Sequence, residues 1–494
     1  MANTQELSQA LARRQAVLQG DAGRIAAQRA GGKLTARERA GRLLDPGSFV
    51  ETDVLLGKNG DYAGVITGTG TVDGRPVVLF AQDYTVHGGA MGVAQAQKVC
   101  KALDLALKTG SPVVAMCDSA GVCVDEGAEA MNAYAEIYRR MARLSGVCPM
   151  IALILGPAVG GAALLAQIAD VSIQAADVGR LMVYGPQVVS SLTGKAYDDK
   201  LLGGADAMAA QGGVSLTAAN EEEAIALAVK LLSLLPSSNE EDAPLTEAED
   251  LNRALPEIAP EDSGALMAAM ADGGDFVELF PAWGPELRVA LTRMGGRSVG
   301  LVVSNARVNQ GELAPAACAK AARFIRFCDC YSLPVVSLIH SRGVQVPDAG
   351  SQSWTMITAS QLLYAYAESS SPKVSVIVGS AIGQAYVAMA GKANADLTYA
   401  WPGAVISALT PEAAVQVLYA AELRADTAPA AESRARLEKE FAANVADGVH
   451  AAAAGMIDDV IDPADTRRYV LAALELLAAK RDVNPPRKHG NLPL

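Results

Sequence analysis

The residues in this sequence best suited to chemistry are two glycine-broken runs. "LILGPAVGGAALLA" (Leu153–Ala166) and "VIVGSAIGQAYVA" (Val376–Ala388) each carry an aliphatic stretch into glycines and then into alanines. A strand that ends in glycines and starts a helix exposes backbone N–H groups at the positive end of the helix dipole. Such groups suit a phosphate or a developing oxyanion, and glycine lets a ligand approach the backbone closely. Tight strand–helix packing is the plainer use of one such turn. Here each run also has an upstream glycine loop, Ser119-Ala120-Gly121 and Ser341-Arg342-Gly343. Each half then offers two separated sets of amides, as an oxyanion hole requires.

Side-chain chemistry is sparse by comparison. The four histidines (His87, His340, His450, His489) show no metal-ligand spacing, so no metal is expected. A Walker loop and GxGxxG are absent. Asp118 and the Asp125-Glu126 pair are the acidic candidates near a predicted hole, and such residues ordinarily cap helices. The inventory fits a reaction that stabilises anions with backbone amides and leaves acid–base work to a cofactor or substrate.

The elements that position these runs are duplicated. Gly156 and Gly379 lie 223 residues apart, with Ala158/Ala381, Gly160/Gly383 and Ala162/Ala385 in step. "FVETD" at Phe49 is echoed by "FVELF" at Phe276, and Pro112, Gly121 and Pro149 by Pro334, Gly343 and Pro372. An offset near 222 kept over five blocks predicts two homologous domains. In each, a hairpin (turn at Asp73-Gly74 in the first) precedes short aliphatic strands alternating with helices. The pattern predicts strands at Pro112–Met116 and Met150–Leu155, a helix at Glu129–Leu144, and largely parallel α/β domains. The expected organisation is a helical arm over 1–45, a first domain over 46–235, a linker over 236–263 rich in Pro, Ser, Asp and Glu, and a second domain over 264–494. The arm's Arg13, Arg14, Arg24, Arg29, Lys33, Arg37, Arg39 and Arg42 either pack it on a neighbour or meet an anionic cofactor tail.

At 494 residues the chain exceeds a single core. A net charge of −13 argues against a nucleic-acid partner. No apolar run reaches the roughly 20 residues of a membrane span, and "MANTQELSQALARRQ" has no apolar signal core, so a cytoplasmic protein is expected. The seven cysteines show no CxxC spacing and read as reduced thiols.

Over nearly its whole length the chain resembles the carboxyltransferase subunits of biotin-dependent acyl-CoA carboxylases and of sodium-pumping acyl-CoA decarboxylases. The resemblance rests on "GKLTARERAGRLLDPGSFVE", "FAQDYTVHGGAMG", "DSAGVCVDEG", "LILGPAVGGAA", "KAARFIRFCD", "LLYAYAES", "ADLTYAWP", "GMIDDVIDPADTR" and "RKHGNLPL". It implies two crotonase-like (ClpP/crotonase) domains, a homo-oligomer, commonly a hexamer, and active sites between the N-domain of one subunit and the C-domain of another. It implies that Gly160 and Gly161 hold the thioester oxygen of an acyl-CoA such as propionyl- or methylmalonyl-CoA. Gln384 and Ala385 would hold the ureido oxygen of biotin, and Gly121, Val122, Val387 and Gly343 would line the substrates. Carboxyl transfer then needs no side-chain base, because the biotin nitrogen takes the proton. The implied partners are a biotin carboxyl carrier protein, since no "MKM" site occurs here, and a biotin carboxylase subunit or membrane decarboxylase subunits.

Several positions depart from the family pattern. Ala120 stands in place of a glycine, Cys123 of an arginine and Gln384 of a glycine; Thr358 lies in a helix start lacking the usual Arg, His and Gly; "GVQVPD" replaces "GFLPG"; and Val387 occupies a position that helps choose acyl length. Two other readings stay open on these grounds: a catalytically degenerate partner subunit, and a biotin-independent crotonase-type CoA enzyme. The acyl-CoA and the direction of transfer are not set by the sequence.

Overall fold

The computed structural model describes residues 2–58, 61–425 and 430–493. They form two compact units, Met1–Ala243 and Pro244–Leu494, divided within the Pro- and acid-rich stretch.

The first unit opens on the helices Ala2–Gln19, Ala22–Ala30 and Ala36–Leu43. The third starts at a capping box in which Thr35 Oγ1 accepts from the Glu38 N–H, while the Glu38 carboxylate accepts from the Thr35 N–H. Its inner face buries Ala36, Arg39, Ala40 and Leu43. The basic residues proposed for a cofactor tail are in large part spent within the unit. Arg29 pairs with Glu38 (2.6 Å), Arg37 with Glu51 (3.0 Å), Arg42 with Glu222 (3.3 Å), and Lys33 and Arg39 with Asp118.

An eight-stranded sheet follows in the order Val50–Thr52, Val65–Val72, Arg75–Gln82, Val113–Ser119, Met150–Val159, Val171–Ala175, Leu216–Ala218, with Arg180–Met182 beside the far end of Met150–Val159. The first three strands are antiparallel. Asp73 and Gly74 link two of them with φ of 50° and 75°, the positive pair that a two-residue hairpin of this twist demands. From Arg75–Gln82 onward the strands are parallel. Val113–Ser119 is buried at every position, and its first four residues, Val113–Met116, are apolar without a break. Helices Val93–Thr109 and Ala128–Leu144 share a core with these strands through Val99, Leu103, Ile137 and Met141.

The second unit repeats this plan strand for strand: Phe276–Leu279, Leu287–Met294, Arg297–Ser304, Val335–Ser341, Lys373–Ile382, Leu397–Ala400, Asp459–Val460, with Val405–Ser407 beside the end of Lys373–Ile382. Even the irregularities coincide, since the register shifts between Cys117 and Ser119 and again between Ile339 and Ser341. One expectation needs correcting. The strand from Met150 runs through Gly156 to Val159 instead of stopping at Leu155, so Gly156 is a strand residue and the turn comes at Gly160. Gly156 is glycine for room: a Cβ there would lie 2.0 Å from Asp118 Oδ1. None of the seven cysteines is in a disulfide. Among the described residues no helix is long and apolar enough to cross a membrane.

Candidate active site: two amide turns

Gly160 and Gly383 adopt nearly the same backbone conformation, φ 61°/ψ −118° and φ 53°/ψ −119°, a region open in practice to glycine alone. Each hands its own N–H to a neighbouring strand: Gly160 to the Met182 carbonyl (3.0 Å) and Gly383 to the Ser407 carbonyl (2.8 Å). The helices Gly161–Ile168 and Gln384–Met389 begin immediately after. The first amide of each, Gly161 and Gln384, has no acceptor among the described residues. Gly160 therefore shapes the turn and does not supply the spare donor that the family resemblance suggested. In the repeat it matches Gly383, while Gly161 matches Gln384 and Ala162 matches Ala385.

The second arm of each site is the loop after a central strand. Ser119 lies opposite Ala158 and Ser341 opposite Ala381. Gly121 (φ 120°) and Gly343 (φ 99°) turn the chain, each donating its N–H to the serine hydroxyl two residues back at 3.2 Å. Their carbonyls accept from Met91 and Leu313 at 2.8 Å. A Cβ on Gly121 would lie 3.6 Å from the Val159 carbonyl, and one on Gly343 would lie 3.1 Å from that of Ile382. Each loop thus sits against the residue preceding its turn glycine. The flanking amides are spent, Cys123 on Met91 and Gln345 on Leu313, which leaves Val122 and Val344 without acceptors among the described residues. Val344 escaped the sequence reading, although its place 222 residues after Val122 marks it. Each unit so carries two spare N–H donors, Val122 and Gly161 in the first and Val344 and Gln384 in the second. Such a pair can hold a carbonyl oxygen that gains negative charge.

The surroundings of the two turns differ. In the first, Tyr134 stands over Gly161; its hydroxyl donates to the Gly121 carbonyl (3.3 Å) and accepts from the Ala162 N–H. Burial pushes that hydroxyl's pKa well up, so it stays protonated. In the second, helix Gln352–Glu368 packs on the turn and buries Thr355 and Thr358, the latter's hydroxyl turned back to the Trp354 carbonyl at 2.9 Å. Gln384 is exposed, as is Val387 one helical turn on. Val122 and the half-buried Cys123 line a cleft of about 420 Å³ with Tyr62, His87 and Glu126. No residue of the turn at Gly160 lines that cleft.

Two of the acidic candidates, Asp118 and Glu126, are committed elsewhere. Asp118 is fully buried between Lys33 (2.7 Å) and Arg39 (2.8 Å), and Arg39 also grips Glu221 (2.5 Å). Burial lowers the Lys33 pKa against the opposing pull of Asp118. Glu126 accepts from the Val93 N–H at 2.7 Å, capping the helix that starts there.

Two homologous α/β units, each with a strand-to-helix glycine turn facing a glycine loop, define a protein of two crotonase-like domains. The carboxyl transferase domain model matches residues 27–492, and the chain belongs to that family. It is 38% identical over 504 residues to the carboxyltransferase subunit of propionyl-CoA carboxylase from Haloferax mediterranei, covering 98% of each chain. It is 37% identical to the alpha subunit of methylmalonyl-CoA decarboxylase from Veillonella parvula, over the full length of both. The crystal structure of transcarboxylase 12S, a hexamer with hydrolysed methylmalonyl-CoA bound, superposes with a TM-score of 0.93 at 36% identity over 99% of this chain and 98% of that one. The chain is an enzyme of carboxyl transfer.

Proposed function

We propose that this protein moves a carboxyl group between biotin on a carrier protein and a short acyl-CoA of the propionyl/methylmalonyl type. The observation that carries this reading is the twinned turn: two copies of one backbone geometry, each with its glycine N–H spent internally and the next amide spare. Gly161 and Val122 receive the thioester oxygen, so that charge developing there as an enolate is held by fixed dipoles. Gln384 and Val344 receive the ureido oxygen, with Ala385 next in the helix. Biotin supplies the carboxyl group and the ring nitrogen that takes or returns the substrate proton. The second turn fits a carbonyl oxygen because Gly383 repeats the backbone conformation of Gly160 and the Gln384 side chain that follows it is exposed. That preserved geometry favours an active subunit over a degenerate one. Gly121 and Gly343 shape the two pockets, and Val387 faces the acyl chain.

The relatives named above support a hexamer and the use of CoA esters, and the same assembly is proposed here, completed by a separate biotin carrier and its carboxylase or decarboxylase subunits. The test is decarboxylation of methylmalonyl-CoA by the purified protein with free biotin. Turnover that depends on both compounds supports the reading. CoA-ester turnover indifferent to biotin would replace it with a biotin-independent crotonase-type reaction.

A further inference from the structure

The two units differ behind the turns, where the first has the buried Asp118 and the second the half-buried His340. Asp118 and His340 occupy the same place in the repeat, each beneath a strand glycine: a Cβ on Gly379 would lie 2.3 Å from His340 Nδ1, and one on Gly156 2.0 Å from Asp118 Oδ1. The next strand residue changes in concert. Pro157, which has no N–H, becomes Ser380, whose N–H donates to His340 Nδ1 at 2.9 Å. The Ser380 hydroxyl lies 3.1 Å from the same nitrogen and 3.3 Å from the Ser341 carbonyl, which it reaches as donor. Ser341 in turn holds the Gly343 N–H through its hydroxyl. The ring therefore ties the strand leading to Gly383 to the loop that carries Val344.

We infer that His340 is a positioning residue for the second amide turn, acting as a neutral hydrogen-bond acceptor that holds Ser380 and, through it, the Gln384 and Val344 amides. The inference rests on the assignment of that turn to biotin. An Nδ1 that accepts from a backbone N–H carries no proton, so the ring is the Nε2–H tautomer. Protonating it replaces an acceptor with a donor facing a donor. Burial opposes that protonation and sets the ring's pKa below its ordinary value, while the Glu261 carboxylate favours it. Arg342 and Arg307 in the same unit are held by Glu412 and Asp262 at 2.9 Å. In the first unit the same place is held by Asp118, ion-paired to Lys33 and Arg39.

The test is a pH series from pH 7.5 down to about pH 5 on the full-length assembly, with KM for free biotin and acyl-CoA affinity measured separately. The wild type should show a rise in biotin KM on the acid side while acyl-CoA affinity stays level. His340→Asn, whose amide oxygen stays an acceptor but does not titrate, should keep the neutral-pH KM and lose the acid limb. His340→Leu should raise the biotin KM about tenfold or more at every pH. An acid limb that survives in His340→Asn, or Asn and Leu variants that behave alike, overturns the proposal. Hydrogen exchange of the segment 380–387, corrected for intrinsic rates, decides the point independently of turnover. Protection lost at low pH in wild type but kept in His340→Asn supports the tie even if biotin proves not to be the ligand, and unchanged protection rejects it.

Discussion

Adding one methyl group at Gly161 should disable the first turn. An ideal Cβ there falls 2.5–2.6 Å from three atoms of the Tyr134 ring, Cζ, Cε1 and Cε2. Ordinary contact requires the ring or the turn to move by about 1 Å. Tyr134 has little freedom to yield: it is 4% exposed, stacks on Tyr138 at 5.7 Å, and bonds to the Gly121 carbonyl. Overpacking of this kind costs about 1–3 kcal/mol of stability. The same shift displaces the Gly161 amide and, through Tyr134, the Gly121 loop that presents Val122. Loss of one oxyanion donor costs about 3 kcal/mol of transition-state stabilisation, on the order of a hundredfold in kcat. Gly161→Ala should therefore lower biotin-dependent decarboxylation of methylmalonyl-CoA about a hundredfold, and lower Tm by a few degrees. Gly161→Ala/Tyr134→Leu, which removes the three offending ring atoms, should recover stability before it recovers rate. A Gly161→Ala protein with wild-type rate and wild-type Tm would refute the placement of the thioester oxygen at this turn.

Further outcomes follow from other parts of the structure. Gln384→Gly should preserve or raise biotin-dependent turnover, since only a solvent-directed side chain is lost; a hundredfold fall would show that the side chain itself binds. Arg39→Met leaves the buried Asp118 and Glu221 carboxylates short of their shared cation and should cost about 3–5 kcal/mol in chemical unfolding; a loss below about 1 kcal/mol would mean the network is dispensable. Lys98 and Lys320, equivalent in the repeat, are buried with their ammonium groups on the Val65 and Phe280 carbonyls, and burial brings each pKa down to about 8. Between that value and the unfolded-state value the unfolded chain binds more protons, so stability rises with pH through this window and the full penalty is present below it. Lys98→Met should accordingly stabilise the protein at pH 7 by roughly 1–2 kcal/mol, after about 1–2 kcal/mol is given back for the orphaned carbonyl, with a gain that shrinks above pH 8. A gain independent of pH would contradict the burial account.

The duplication was legible because glycines, prolines and the strand pattern are local signals, and they survive in both copies at a constant offset. The turns were legible for the same reason: only glycine enters the backbone region that Gly160 and Gly383 occupy. Which amide is spare was not legible, because that depends on whether Met182 and Ser407, far along the chain, arrive to accept the turn glycine's N–H. Strand ends were misjudged where Gly156 read as a breaker, although its role is to clear space for Asp118. The arm's basic residues looked free for an anionic ligand, because the acids they meet, Glu51, Asp118, Glu221 and Glu222, are mostly remote in sequence. Asp118 and His340 looked unrelated until the fold set both beneath strand glycines.

The central claim is that one turn serves the acyl-CoA and the other serves biotin. It is tested most directly by measuring methylmalonyl-CoA decarboxylation against free biotin in the wild type, Gly161→Ala and His340→Leu. The account predicts biotin-dependent turnover in the wild type, a loss in Gly161→Ala that saturating biotin does not restore, and a loss in His340→Leu that raising biotin does restore. Turnover without biotin, or the two variants failing in the same way with respect to both substrates, would contradict it.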